Sequence, residues 1–282
     1  MALTNNPNKT KSIEKQLNRE ISRKFRELNS FMLTLPLTSI TTNVSASQQA
    51  QINAFMQQFE ERAIGIFLSL PWQNKYQTES YERGITRADQ QLKAMLTAKE
   101  QLLLPSLNME AAALVTTAVH ANELDFLHKR ANKSLTKWID DLLFDTRSIL
   151  HEQMGIVSVD DIQNAITDRI NVTTSRSRVI NVTEVSQASQ RSVLKEGQAI
   201  AAQSDEEIEA QWITVKDSRV RHLHANWHRR IMSIEQASRN ITISPWNCRC
   251  GIKLVIRNRL SARVTAIHAK ERKKLLGQEK AA

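Results

Sequence analysis

Glycine and proline are scarce, at six and five residues in a chain of 282. That scarcity excludes collagen-like and Pro/Gly-rich low-complexity chains, and it leaves long helices few interruptions. Cysteine is scarcer still. Cys248 and Cys250 are separated by a single residue, a spacing ill-suited to a mutual disulfide and no framework for a secreted scaffold, so a reducing compartment is expected. The longest apolar stretch, residues 63–70, falls far short of the ~18 residues that span a bilayer. Residues 1–29 lack the apolar core of a secretion signal, so the expectation is a cytoplasmic protein without a membrane segment. Aromatic residues make up only 5%, too few for the stacking platforms that hold single-stranded nucleic acid. No GxxxxGK[ST], GxGxxG or HExxH motif occurs, which leaves nucleotide-driven motors and the common metalloproteases without support.

What is present describes a soluble folded chain. Hydrophobic residues account for 41% and charged residues for 24%, and the length suits two domains. The formal net charge is +10, unevenly distributed. Residues 211–282 hold 16 Lys and Arg against 4 acids, whereas residues 1–210 hold 23 against 25. Such asymmetry points to a polyanionic partner, nucleic acid ahead of a membrane surface. A solvated basic face is the plain alternative.

Apolar periodicity predicts the folded elements. Residues 1–10 read as a mobile arm. Ile13, Leu17, Ile21, Phe25, Leu28, Met32 and Leu35 recur every three or four residues, predicting an amphipathic helix stopped by Pro36. A second run, from Ile52 to Leu70, follows a Ser45/Gln48 capping pair. A third covers about 77–104, a fourth begins near Asn108, and a fifth spans Leu135 to Leu150 before Gly155. Ser158 and Asp161 open a short helix, and residues 175–196 form a longer one with Gly197 at its C′ position. The acidic stretch 201–210 reads as a linker. Beyond it, residues 212–215 and 251–256 are β-prone, and residues 257–282 form a basic helical tail whose loosely spaced apolar positions predict weak packing. The fold class is therefore mainly α: a helical domain over residues 11–200, a small α+β module over 211–256, and the tail. His120, His128, His151 and His268 stand singly in helical patterns and read as packing or surface residues.

The densest chemistry follows the linker. His224 and His228 share a face if they lie on a helix, and Cys248 and Cys250 point to one side if they open a strand. Together they could close a tetrahedral His₂Cys₂ zinc site, structural because it has no open position. Two alternatives stand beside it. His222 and His224 form the presented pair if their segment is extended, or the cysteines are small buried hydrophobes with no metal at all. Asp217 with Arg219 and Arg221 reads as a local ion-pair network. In the tail, Arg257, Arg259, Arg263, Lys270, Arg272, Lys273 and Lys274 are the candidates for DNA phosphates, contacted without regard to sequence.

The order W-I-T-x-x-D-x-R-V-R-x-x-H followed by S-P-x-N-C-R-C closely resembles the C-terminal signature of phage Mu protein F-like head morphogenesis proteins. Asp217, Arg219, Val220, Arg221, His224, Pro245, Asn247, Cys248, Arg249 and Cys250 carry the likeness. Upstream, Thr183 and Glu184 are similar to the family's Thr-Glu helix, and Tyr81-Glu-Arg-Gly84 is similar to another family segment. Where many relatives carry an Asp-Gly turn, this chain has His228-Arg229. The resemblance implies a minor head protein inside the virion, made in the host cytoplasm, with the portal protein and double-stranded phage DNA as partners. Scaffold or capsid protein is a further implied partner, and no membrane is involved in the assembled head. The resemblance does not establish an enzymatic activity. The rival reading is a metal-dependent nuclease using Asp217, His222, His224 and His228.

Overall fold

The computed structural model describes residues 7–37, 45–215, 220–243, 248–259 and 262–279, the side chains of residues 45, 262–266 and 277–279 excepted. Ten α-helices lie among them: α1 Lys11–Met32, α2 Ser45–Phe67, α3 Asn74–Lys93, α4 Ala98–Leu102, α5 Ala111–Leu114, α6 Ala118–Gln153, α7 Val159–Ala201, α8 His222–Trp227, α9 Ile234–Ile243 and α10 Ala262–Glu279. Three strands, β1 Ile208–Ile213, β2 Ile231–Met232 and β3 Gly251–Ile256, form an antiparallel sheet in the order β2-β1-β3. The fold is mainly α with a small α+β module near the C-terminus.

Two compact units are present, and both are discontinuous. One comprises Met1–Glu14, Lys75–His128 and Thr183–Ala282, the other Lys15–Asn74 and Lys129–Val182. This division does not fall at residues 201–210. The stretch read as an acidic linker instead contains the start of β1, and the expected arm is pinned over residues 7–10. There Asn8 is buried and donates to the Cys250 carbonyl at 2.7 Å, while Arg87 Nη1 donates to the Pro7 carbonyl at 3.2 Å.

In the helical unit the periodic stripes are the core. Leu17, Ile21, Phe25, Leu28 and Met32 of α1 and Ile52, Phe55, Phe59, Ala63 and Phe67 of α2 are buried, each large side chain contributing roughly 1.5–3 kcal/mol. Phe25 and Phe67 meet with ring centroids 4.6 Å apart. The fourth run divides, its first part forming the short α5 and the rest joining the fifth in the 36-residue α6. Likewise the two helices expected after Ser158 are one 43-residue helix, α7, opened by the cap in which Asp161 N donates to Ser158 Oγ at 3.1 Å.

The sheet-bearing unit is built on the C-terminal part of α7. Trp212 pairs with Ile252 and Ile208 with Ile256 across β1 and β3, and Val193, Leu194 and Ile200 of α7 share a core with Trp212, Leu254, Ile234 and Ile241. Gly197 is not a C′ residue. It sits inside α7, where a Cβ would lie 2.8 Å from Leu254 Cδ2 and 3.1 Å from Ile234 Cδ1, so close approach of the sheet explains it. β1 begins at Ile208, four residues before its expected start, because its outward face is buried too: Glu209 is held by Arg257 at 2.8 Å. β2 is a two-residue strand, too short to show a pattern.

A buried polar chain crosses this unit. Tyr81 hydroxyl lies 3.1 Å from His120 Nδ1, and His120 Nε2 lies 3.0 Å from Glu196. Asp89 feels the Glu196 carboxylate, and its pKa is pushed up to about 8, by burial first and then by the Glu196 charge. A carboxyl raised this way is protonated in the fold, where it can donate to Glu196. Its contribution to stability is full below about pH 4, the unfolded value, and is lost as pH rises through about 8. Asp89→Asn, which keeps a donor without the charge, is expected to add roughly 1–2 kcal/mol at pH 8.5 and little at pH 4. Thermal melts of both proteins across that range check it; parallel pH profiles would refute the assignment.

Candidate thiol–imidazole site

Three elements converge on one point of the sheet-bearing unit. α8 supplies His224, the segment entering β3 supplies Cys248 and Cys250, and β1 supplies the Trp212 indole behind them. His224 Nδ1 lies 3.2 Å from Cys250 Sγ and 3.4 Å from Cys248 Sγ. All three side chains are buried, and their ligand atoms lie within 4.8 Å of one another. The His224 ring stacks on Trp227 at 5.3 Å and meets Trp212 edge-on at 5.5 Å, which fixes its plane.

The cysteine segment is positioned by polar side chains of α7, a helix buried almost all round over residues 183–196 despite its polarity. Gln190 Nε2 donates to the Cys250 carbonyl at 2.5 Å, and Ser186 Oγ donates to the Cys248 carbonyl at 3.4 Å. Asn8 joins from the N-terminus, donating to Ser186 Oγ at 2.7 Å. These buried carbonyls are thereby satisfied, as burial requires. Sequence reading missed Asn8, Ser186 and Gln190. The available signal was a four-residue Ser/Gln spacing, beside Thr183 and Glu184, on a helix too polar to be buried by its apolar residues alone.

The electrostatics favour one thiolate. Hydrogen bonding from the Cys250 thiol, helped by His224 and opposed by burial, holds Cys248 well below the ordinary thiol range. The same hydrogen bond and burial push Cys250 up, while contact with Trp212 and the charge of Arg221 act in the other direction. Trp212 Nε1 is buried with no conventional hydrogen-bond partner among the described residues, and its N–H acts on Cys250 in favour of negative charge on that sulfur.

This trio fits three corners of a zinc site. Bonds of about 2.3 Å to sulfur and 2.0–2.1 Å to nitrogen at tetrahedral angles put N and S about 3.5 Å apart, close to the separations found here. His228 is not the fourth corner. It is the residue after α8, and its Nδ1 accepts from Thr214 N at 3.1 Å, while its Nε2 points to Glu271 of α10 at 3.7 Å. Helical spacing failed because α8 ends at Trp227. His228 instead ties the end of β1 to α10. His222 is exposed beside Asn226, at 3.3 Å. The histidines grouped for a nuclease therefore do not converge, and Asp217 lies outside the described residues. So do Arg219, Pro245 and Asn247 of the motif. Arg221 is exposed just before α8, and Arg249 is half-buried between the cysteines.

Arg229 follows His228 in left-handed backbone at φ 59°, a conformation that favours glycine. It is held there by Glu271 at 3.1 Å and by its own N–H donating to the Trp212 carbonyl at 2.7 Å. This is where the related proteins' Asp-Gly turn would fall.

The basic residues separate into two groups. Arg257 is engaged by Glu207 and Glu209, and Arg259 by Glu100 and Glu206 at 2.6 and 2.5 Å. Both serve the fold, and the acids once read as linker are their counter-charges. The Arg263 side chain lies outside the described residues. Arg272 is half-buried and donates to the His228 carbonyl at 3.5 Å, whereas Lys270, Lys273 and Lys274 are exposed on α10. Contrary to the weak packing expected of the tail, α10 buries Leu275 and bonds through Glu271 and His268, the latter 3.1 Å from Gln211.

A long polar helix, a three-stranded sheet and a buried Cys-x-Cys/His cluster thus define a compact C-terminal module. The profile of the family described as Phage Mu protein F like protein matches residues 154–253, a span that takes in α7, the thiols and most of the sheet. Over that span, about a third of the chain, the protein is similar to the Phage Mu protein F-like family. No curated protein and no solved structure matches the chain. Among the described residues no helix is long and apolar enough to cross a membrane.

Proposed function

We propose that this protein is a minor head protein of a tailed bacteriophage, carried inside the capsid beside the portal. In this reading it acts in head assembly and in DNA packaging, retention or ejection, with no catalytic role. The observation that carries the proposal is the family match over the very residues that build the thiol site. The exposed Lys270, Lys273 and Lys274 of α10 supply sequence-independent contacts with DNA phosphates, with Arg272 at their edge. Zinc, held by His224, Cys248 and Cys250, acts structurally and locks the module against α7.

The test is co-expression of the full chain with the portal protein of the same phage, followed by affinity capture. Stoichiometric recovery is expected. A protein that leaves the portal behind and cleaves duplex DNA in a His224-dependent manner would support the nuclease reading. The full chain is needed because residues 1–200 alone would lack the sheet that completes one unit's core.

A further inference from the structure

The helical unit carries a second concentration of positive charge, concealed by the near-neutral total of residues 1–210. Between α1 and α7 lies a cleft of about 350 Å³ lined by Ser22, Arg26, Asn29, Asn171, Thr174 and Arg178, with no carboxylate in its lining. Both arginines lean on one serine. Arg178 Nη2 donates to Ser22 Oγ at 2.7 Å, and Arg26 Nε donates to the Ser22 carbonyl at 3.3 Å. Neither guanidinium forms an ion pair among the described residues. The acid next to Arg26 in sequence, Glu27, is already engaged by Arg62 at 2.7 Å and Arg23 at 3.6 Å.

Two like charges gathered at one serine, with amide and hydroxyl groups around them, form a receptor for an oxyanion. The cleft also continues a row. Lys15, Arg19, Ser22 and Arg26 follow one another at four-, three- and four-residue spacing, which places them along one stripe of α1, and the three cations are exposed. At 1.5 Å per residue the row is about 16 Å long, enough to run beside more than one phosphate of a DNA strand. A linear row of cations ending in an arginine pair matches a linear polyanion better than a single carboxylate.

We infer that this cleft binds a backbone phosphate of duplex DNA, with Arg26 and Arg178 as its charged ligands and Lys15 and Arg19 along the same strand. The inference rests on the DNA-contacting part of the proposed function and adds a second contact, remote in sequence from the tail. Because Arg26 and Arg178 are exposed, replacing them leaves melting temperature within about 2 °C of wild type.

The experiment titrates the full-length protein with a labelled duplex of about 20 base pairs and arbitrary sequence at several salt concentrations. The proteins compared are wild type, Arg26→Gln/Arg178→Gln, and Lys270→Ala/Lys273→Ala/Lys274→Ala. The arginine pair is expected to flatten the slope of log K against log salt by about two and to weaken binding at 0.1 M salt at least about tenfold. An unchanged slope for the arginine variant, while the lysine variant flattens, overturns the cleft and leaves the tail contact standing. Absence of duplex binding by wild type overturns both. Polyglutamate binding with the same dependence on Arg26 and Arg178, and no competition by DNA, overturns the phosphate assignment in favour of an acidic protein surface.

Discussion

Gly84→Ala is expected to destabilise the sheet-bearing unit by about 2–4 kcal/mol. A Cβ at Gly84 would lie 1.8 Å from Ser192 Oγ and 2.5 Å from the Ser189 carbonyl oxygen. The hydroxyl can rotate away. The carbonyl cannot, because it belongs to the backbone of α7, so α3 and α7 must part and loosen the burial of Ile85, Ala88 and Val193. At about 2–4 °C per kcal/mol the melting temperature should fall by roughly 4–16 °C. Gly65 is the internal control. It lies in α2 with nothing within 4 Å of an added Cβ, so Gly65→Ala should be neutral or stabilising by up to about 1 kcal/mol. Equal melting temperatures for the two variants would show that the approach of α3 to α7 is not a constraint. The close approach also accounts for glycine at the end of the Tyr81-Glu-Arg-Gly84 segment.

The second large effect concerns the thiols. If zinc is resident, protein purified without chelator carries close to one equivalent, and His224→Ala, Cys248→Ser or Cys250→Ser each abolishes most of it. Chelation should lower the melting temperature of wild type by about 5–15 °C, reflecting several kcal/mol of metal-linked folding energy, and leave the three variants unmoved. The metal-free alternative gives a different pattern: less than half an equivalent, no response to chelator, and about 1–2 kcal/mol for each cysteine variant from altered hydrogen bonding and packing. Elemental analysis and paired melts separate the two outcomes.

Much of the fold was legible in the sequence because burial there follows a simple period. The α1 stripe from Ile13 to Leu35 is buried at every position named for it, and β3 occupies the expected residues. Legibility fails where polar residues are buried. α7 is nearly continuous in burial from Thr183 to Leu194, yet its inward positions include Thr183, Glu184, Ser186, Gln187, Ser189 and Gln190. No apolar stripe marks it as one helix, and Gly197 consequently looks like an end. Glu209 hid the start of β1 for the same reason, since its neutralising partner Arg257 is 48 residues away. In the site, the two-residue spacing of Cys248 and Cys250 and the proximity of His224 were readable. The role of His228 was not, because it depends on where a six-residue helix stops and on Glu271 of α10.

The pinning of Asn8 by the Cys250 carbonyl, across 242 residues, has a consequence for synthesis. At about 5–20 residues per second the N-terminal segment waits roughly 12–48 s on the ribosome before its acceptor exists. The helical unit, whose last residue is Val182, can finish well before that. Chains released early therefore carry a folded first-formed body with unsheltered α3 and α7 surfaces, which are substrates for chaperones and proteases. Only a chain completed through β3 can close the thiol cluster.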